Sequence, residues 1–184
     1  MRFNPDIHRR RSVRLKRWDY ASRGAYFVTV CAHGRECVFG EVRSGRVVLN
    51  GADKIVESAW NDLPLHYPRV ELDVFVVMPN HVHGILIIGR GLSVGARHAS
   101  PLQKMPRGPK RGSVGAIVGS FKSAATRRVN TLRKTPGLPL WQRNYYEHII
   151  RGEAEINRAR EYVLHNPLKW LEDENHPENA MNRP

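Results

Sequence analysis

Runs of β-branched and aromatic residues, separated by turn signals, predict the strands of this chain. The longest run is VELDVFVVMPNHVHGILII, which a Pro-Asn pair divides into a hairpin of two strands. A later segment, LWQRNYYEHIIR, is short and aromatic and indicates an edge strand. In chain order, the predicted strands begin at Gly24 and then cover residues 46–49, 70–78 and 81–88, with the edge strand last.

Apolar residues at spacings of three and four predict three helices. The first helix begins at the Asn50 cap and ends at Pro64, and the second begins at Ser113. The third covers residues 153–165, and Pro167 limits its extension because the residue before a proline disfavours the helical conformation. Strands and helices in this order, with hairpins, predict an α+β fold in which helices pack on an antiparallel sheet.

The chain has 184 residues, a length typical of one domain with a real core. We predict a basic N-terminal arm over residues 1–23, a domain over residues 24–170, and a polar, acidic and disordered tail over residues 171–184. Residues 89–112 contain five Gly, three Pro and six Lys or Arg, and this composition predicts a mobile basic loop inside the domain.

The charge of the chain favours a polyanionic partner. The formal net charge is +13, and residues 74–146 contain twelve Lys or Arg and no acidic residue. Such a field points to nucleic acid, although a solvated basic surface is the alternative for each cluster. The candidate DNA contacts are Arg9, Arg10, Arg11, Arg14, Lys16 and Arg17 in the arm, and Lys122, Arg127 and Arg128 on the second helix.

Other classes of protein are disfavoured. Cys31 and Cys37 are too few for a disulfide scaffold or a four-cysteine zinc site, so a reducing compartment fits. The N-terminal segment lacks the apolar stretch of a signal peptide, and no segment approaches the roughly 18 to 20 apolar residues of a membrane span. We therefore expect a cytoplasmic protein that does not contact a membrane.

Two histidines with one residue between them, His81 and His83, lie inside the most apolar stretch of the chain. Residues i and i+2 of a strand face the same side, so we expect both imidazoles to point into one space. Imidazoles that are buried need polar partners. A divalent metal ion is a suitable partner, although a structural role for the pair is the alternative.

The third predicted helix offers a further ligand and a nucleophile. Tyr162 and Asn166 are four residues apart and share one face, and an amide oxygen suits Mg²⁺ or Mn²⁺. A tyrosine can attack a phosphodiester when a nearby cation stabilises the phenolate. In the alternative, Tyr162 packs on the sheet and Asn166 caps the helix. Tyr145 and Tyr146, which lie close to His148, compete as nucleophiles.

A set of short segments occurs in the order Trp18-Asp19-Tyr20, GAYFVTV, VVMPNHVHGILI, SFKSAATRR, WQRNYYEHIIR and REYVLHNPLKW. With these segments, residues 11–170 resemble the Y1 transposases of the IS200 type in the HUH superfamily. Within that group the chain most resembles the REP-associated tyrosine transposases. The resemblance implies a ferredoxin-like antiparallel sheet with helices packed on one face and the tyrosine helix laid against it.

The resemblance also implies roles for single residues. The HUH motif of the family corresponds to His81, Val82 and His83, with both histidines binding Mg²⁺ or Mn²⁺. The pattern of Tyr, three residues and Asn-Pro makes Tyr162 the catalytic residue, in preference to Tyr145 or Tyr146. Asn166 stands where the family places a polar third metal ligand.

The activity implied by the resemblance is that of a metal-dependent endonuclease and strand-transferase. It would act on single-stranded, hairpin or repetitive palindromic DNA through a 5′-phosphotyrosyl intermediate. A ferredoxin-like single-stranded nucleic-acid-binding protein without catalysis is one alternative, and a metal phosphodiesterase that uses water is another. Monomer and homodimer stay open. His148 is either a neighbour of the active site or a packing residue, and Tyr20, Trp141 and Tyr145 either stack on unpaired bases or belong to the core.

Overall fold

A computed structural model describes residues 18–44, 46–89 and 108–181. In chain order, the elements are β1 (Gly24–Cys31), a short 3₁₀ turn (His33–Arg35), β2 (Gly40–Arg43), β3 (Arg46–Leu49), α1 (Gly51–Asn61), α2 (Leu63–His66), β4 (Val70–Met78), β5 (His81–Ile88), α3 (Val114–Arg133), β6 (Tyr146–Ile150), α4 (Glu153–His165), a 3₁₀ segment (Asn166–Glu172) and α5 (Pro177–Met181). None of the described helices combines the length and the hydropathy needed to span a bilayer.

The main sheet has four antiparallel strands in the order β4-β5-β1-β6, and β2 and β3 form a separate hairpin. The predicted α+β fold with an antiparallel sheet is therefore confirmed. The predicted bounds of β4, β5 and α4 agree with the structure, and β6 lies at a sheet edge as expected. The hairpin partner β2 was not predicted, because Val42 is the only β-branched or large apolar residue among its four residues.

One face of the sheet packs against α1 and α3 and forms the core. Trp60 of α1 stacks on Phe75 of β4, with ring centroids 4.5 Å apart, and contacts Phe121 of α3 edge-on at 5.3 Å. Gly84 of β5 faces this cluster, because a Cβ added there would lie 2.5 Å from the Trp60 ring. Val82 and Leu86, two residues to either side, are fully buried in the same core.

The opposite face of the sheet carries His81 and His83, and α4 lies on it. Arg160 of α4 forms a bidentate ion pair with Asp73 of β4, at 2.6 to 3.1 Å, and this pair ties the helix to the sheet. The resemblance implied helices on one face of the sheet, and this placement is wrong: α1 and α3 cover one face, whereas α4 covers the other, where the Arg160–Asp73 pair holds it. The predicted chemistry lies on the face that α4 covers.

The C-terminal residues belong to the fold. The chain continues from α4 through the 3₁₀ segment into α5, and Asp173 and Asn175 between them are buried. The expectation of a disordered tail is therefore wrong for residues 171–181, because this segment buries polar groups against β5. Most of the predicted basic loop, residues 90–107, and residues 1–17 of the arm lie outside the described residues.

Gly84→Ala should destabilise the protein. The added methyl group would lie 2.5 Å from the buried Trp60 ring and 3.0 Å from the partly buried Phe75 ring, and overpacking of this kind costs about 1–3 kcal/mol in the free energy of unfolding. Gly119→Ala in α3 is the matched control, because nothing lies within 4 Å of its added Cβ. In a helix this change should gain roughly 0.5–1 kcal/mol. Urea unfolding of both variants measures the difference.

Candidate active site

His81 and His83 lie side by side beneath the surface of β5. Their side chains are 0% and 1% exposed, and their Nε2 atoms are 2.9 Å apart. The prediction that both imidazoles point into one space is confirmed. Two nitrogens that bind one ion at about 2.1 Å and at right angles would lie about 3.0 Å apart, so the observed separation fits a shared metal ion.

Asn80 determines which nitrogen of His81 carries the proton. The Asn80 Nδ2 donates to the carbonyls of Arg35 and Asn175, so its Oδ1 is the acceptor for His81 Nδ1 at 2.8 Å. His81 therefore carries its proton on Nδ1, and its Nε2 lone pair points toward His83. A hydrogen bond on the outer nitrogen is the usual arrangement for a histidine that binds a metal ion.

Two residues of β1 orient His83. Thr29 is its partner across the β1–β5 ladder, and Thr29 Oγ1 lies 2.8 Å from His83 Nδ1. Phe27 stacks on the imidazole, with ring centroids 5.4 Å apart. With its hydroxyl as acceptor, Thr29 leaves the His83 Nε2 free to act as a ligand.

Asp173 completes a buried cluster with the two histidines. Its Oδ2 lies 3.9 Å from His81 Nε2 and 4.0 Å from His83 Nε2. One ligand atom from each of the three residues falls within 4.8 Å of the others. Two imidazoles and a carboxylate are a donor set typical of divalent transition metals, so the residues present fit such an ion.

The protonation of the cluster suits a cation. Burial and the neighbouring His83 lower the pKa of His81 well below its usual value, and burial also lowers the pKa of His83. For Asp173, burial acts to raise the pKa, but the neighbouring His83 and His81 and the hydrogen bonds donated by Asn166 and the main chain of Asn175 outweigh it and lower the pKa. Neutral imidazoles and an ionised carboxylate are the forms that bind metal.

Asn166, predicted as the third ligand, borders this cluster. Its Nδ2 donates to Asp173 Oδ2 at 2.9 Å, and its Oδ1 has no hydrogen-bond partner among the described residues, although Asn166 is 3% exposed. A buried amide oxygen without a partner is unusual and fits a metal ligand or a bound water. The role of Asn166 as a ligand stays a prediction.

Tyr162 stands beside the cluster on α4. Its ring centroid is 5.2 Å from that of His83 and 5.8 Å from that of Phe27, and 45% of the residue is exposed. Burial, followed by the charges of Asp173 and Glu174, raises the pKa of Tyr162 to about 12, while a hydrogen bond with Asn166 opposes the rise. The phenol is therefore protonated at neutral pH and needs a cation to become a nucleophile.

Two cavities meet at Tyr162. A polar cavity of about 540 Å³ lies between α4 and the 3₁₀ segment, and its lining combines the basic Arg158 and Lys169 with four carboxylates, those of Glu161, Glu172, Asp173 and Glu174. A second cavity of about 410 Å³ lies between α4 and the strands β1 and β6, and Tyr146 and His148 belong to its lining. Tyr162 lines both cavities, so it is accessible from both sides.

The other candidate tyrosine and tryptophan residues have different surroundings. Tyr146 lies on the histidine face of the sheet at the edge strand and is 47% exposed. Tyr145 packs against the core and donates its hydroxyl to Glu147 at 2.7 Å. Trp141 is buried, with its ring 5.0 Å from that of Phe39. Trp141 is therefore not available to stack on a base, and Tyr20 also packs on the core.

Among the described residues, the predicted DNA contacts lie away from the cluster. The arm residues Arg9, Arg10, Arg11, Arg14, Lys16 and Arg17 lie outside the described residues. Lys122 donates to two main-chain carbonyls at 2.6 and 3.0 Å, and burial lowers its pKa. Arg128 pairs with Asp62 at 2.6 Å, whereas Arg127 is exposed. All three belong to α3, on the face opposite the histidines, and their role with DNA stays a prediction.

Asp173, Asn80 and Thr29 were missed by sequence reasoning. Asp173 lies in an acidic stretch whose composition indicates a tail. Asn80 follows Pro79, and this pair indicates only a turn. Thr29 is linked to His83 by strand pairing alone. His148, whose role the sequence leaves open, is an exposed residue that forms an ion pair with Glu155 at 2.7 Å on the rim of the smaller cavity.

Among the comparisons with known proteins, one solved structure shares the fold of this chain. No family model matches the chain. An uncharacterized protein of Haemophilus influenzae is 39% identical over 178 residues, which cover 94% of this chain and 96% of that protein. A solved structure of a REP-associated tyrosine transposase bound to a REP hairpin aligns with a TM-score of 0.58 and 20% identity, over 86% of this chain and 74% of that chain. A Deinococcus radiodurans structure with a provisional transposase designation gives a TM-score of only 0.45 at 16% identity, over 83% of this chain and 96% of its own.

We expect the cluster to bind Mn²⁺ with a 1:1 stoichiometry in a calorimetric titration. His81→Ala and Asp173→Asn should each weaken binding about 10- to 100-fold or more, because each removes a ligand. Glu172→Gln is the matched control, since this exposed neighbour of Asp173 should leave the affinity unchanged. Equal affinities for Asp173→Asn and the intact protein would contradict the assignment of Asp173.

Proposed function

We propose that this chain, which belongs to one family with the Haemophilus influenzae protein and shares its fold with a REP-associated tyrosine transposase, is a metal-dependent DNA nickase and strand-transferase. One observation carries the proposal: Tyr162 lies within 5.2 Å, ring to ring, of a buried His-His-Asp cluster that fits a divalent cation. A nucleophile beside a cation site is what phosphoryl transfer requires.

His81, His83 and Asp173 would hold the cation, with Asn166 as a further oxygen donor or as the residue that orients Asp173. Mg²⁺ or Mn²⁺ bound there would supply positive charge to the phosphoryl oxygens and to the phenolate. Asn80 keeps His81 in the ligand tautomer, and Thr29 would do the same for His83 when its hydroxyl accepts from Nδ1. The ion pair of Arg160 with Asp73 holds α4, so Tyr162 faces a fixed position above the cluster.

The reaction would be a transesterification at phosphorus. The Oη atom of Tyr162 forms a bond to phosphorus while the bond from phosphorus to the 3′-oxygen breaks. The phenol loses one proton, and the departing oxygen gains one to become a 3′-hydroxyl. Because the 5′-phosphotyrosyl bond conserves the energy of the phosphodiester, another 3′-hydroxyl can reverse the attack and join strands without ATP.

We propose that each chain uses its own tyrosine. His83 and Tyr162 come together within one protomer, so the arrangement needs no residue from a second copy. The substrate we propose is single-stranded or hairpin DNA of the repetitive palindromic kind, in line with the hairpin carried by the REP-associated transposase. The basic arm and the exposed Arg127 are the proposed phosphate contacts.

The free energy needed to bury the His-His-Asp cluster argues against a DNA-binding protein without catalysis. Two imidazoles and a carboxylate buried together cost folding free energy, and binding of DNA requires none of them. A phosphodiesterase that uses water would need the same cluster but not Tyr162. The two reactions are separated by whether a covalent bond to DNA forms.

Tyr162→Phe should abolish nicking and covalent adduct formation while DNA binding persists. The ring remains and only the nucleophilic oxygen is removed, so a drop in rate of at least about 10³-fold is expected. Hairpin and single-stranded oligonucleotides from the host genome, incubated with Mg²⁺ or Mn²⁺ and analysed on denaturing gels, measure the adduct. A chelator should suppress the reaction of the intact protein.

Tyr146→Phe is the control for the choice of nucleophile, and it should still form the adduct. Loss of the adduct in Tyr146→Phe but not in Tyr162→Phe would make the assignment of Tyr162 wrong. Cleavage without any adduct would favour the reaction that uses water.

Replacing the six basic residues of the arm (9, 10, 11, 14, 16 and 17) with glutamine should weaken DNA binding and flatten its salt dependence. For every phosphate that the altered arm no longer neutralises, the slope of log K against log salt should fall by about 0.7 for single strands and 0.9 for duplex. Fluorescence anisotropy at several salt concentrations measures the slope. If the slope changes with Arg127→Gln but not with the altered arm, the phosphate contacts lie on α3 instead.

A further inference from the structure

We propose that the cavity between β6 and α4 is a pocket for one unpaired nucleobase next to the cleaved phosphate, and that the base stacks on Tyr146. The inference rests on the proposed function and adds a base-binding site to it. Tyr146 has no part in the chemistry described above, and the cavity adjoins that chemistry through Tyr162 and Thr29 in its lining.

The cavity has a floor from the sheet and a wall from the helix. In the β1–β6 ladder, Tyr146 pairs with Thr29 and His148 pairs with Phe27, so all four side chains lie on the histidine face. Four residues of α4 form the wall, namely Glu155, Arg158, Ala159 and Tyr162. The volume of about 410 Å³ is at the lower end of the range for small-ligand pockets and suits one nucleotide.

The floor is aromatic and open. The Phe27 ring lies 6.3 Å from the Tyr146 ring and 5.8 Å from the Tyr162 ring, and Tyr146 is 47% exposed. An exposed aromatic ring in a concave site is typical of a binding surface, because the ring gains from being covered. Base stacking on aromatic side chains is a main source of affinity for single strands.

The position of Tyr162 connects the cavity to the reaction. A phosphodiester at Tyr162 has one nucleotide on each side, and Tyr162 separates this cavity from the polar one of about 540 Å³. Arg158 lines both cavities beside Tyr162 and can meet the phosphate there, whereas the aromatic floor of the smaller cavity suits a base. His148, paired with Glu155 at 2.7 Å, provides a polar group at the rim that can meet a base edge.

A fluorescent base tests the inference without cleavage. In Tyr162→Phe protein, 2-aminopurine is placed at the nucleotide on either side of the scissile phosphate. We expect stacking to quench its fluorescence at one of the two positions. Tyr146→Ala should remove the quenching and weaken binding of the natural oligonucleotide roughly 5- to 100-fold. Tyr146→Phe, which keeps the ring, should retain both the quenching and the affinity for the natural oligonucleotide.

An abasic site at the same nucleotide shows whether the effect belongs to the base. Tyr146→Ala should weaken binding of the abasic oligonucleotide hardly at all, because the partner of the ring is already missing. Leu168→Ala is the control for an exposed apolar residue outside the cavity, and it should leave both affinities unchanged.

Two results would overturn the pocket. One is the absence of quenching at both positions, and the other is an equal loss of affinity for the natural and abasic oligonucleotides in Tyr146→Ala. The adduct assay with the intact protein reports separately on the proposed function. If the adduct forms but Tyr146→Ala weakens binding of the natural and abasic oligonucleotides equally, only the pocket is wrong. Absence of the adduct contradicts the proposed function itself.

Discussion

Two buried imidazoles whose Nε2 atoms lie 2.9 Å apart impose a constraint on everything around them. Both rings need partners on their outer nitrogens, and Asn80 and Thr29 provide them. Their inner nitrogens need a proton or a cation between them, and Asp173 supplies negative charge on the open side. The cluster therefore depends on residues from β1, the β4–β5 turn and the C-terminal segment. A change in any of these three places acts on the same two nitrogens.

One face of the sheet forms the stabilising core, and the other face carries the candidate active site. The face toward α1 and α3 contains the large aromatic core, in which Gly84 leaves the space that Trp60 fills. The face toward α4 is occupied by polar and half-exposed residues that such a core would not tolerate. Because neighbouring residues of β5 alternate between the faces, His81 and His83 are supported from behind by Val82 and Gly84. The rigid core thus positions side chains that are themselves costly to bury.

Helix α4 is held on the sheet by the ion pair between Arg160 and Asp73, and it lies between the two cavities beside Tyr162. On one side lies a cavity lined by acidic and basic side chains, and on the other lies the aromatic floor of β1 and β6. A single strand that crosses the helix at Tyr162 would present its phosphate to Arg158, which lines both cavities, and its base to the rings. This division links the proposed reaction to a proposed preference for unpaired DNA, since a paired base cannot enter the cleft.

Local signals in the sequence determined the strands β1, β4 and β5, the caps of α1 and α3, and the bounds of α4. They did so because side-chain alternation, Asn and Ser caps and Pro167 act over a few residues. Proximity of Tyr162 to the histidines was predicted only through a family resemblance. Tertiary structure alone decided that α4 lies on the histidine face, that Thr29 pairs with His83, and that Asp173 turns inward. Such contacts join residues far apart in the chain, as the 90 or so positions between His83 and Asp173 illustrate, and no periodicity spans that distance.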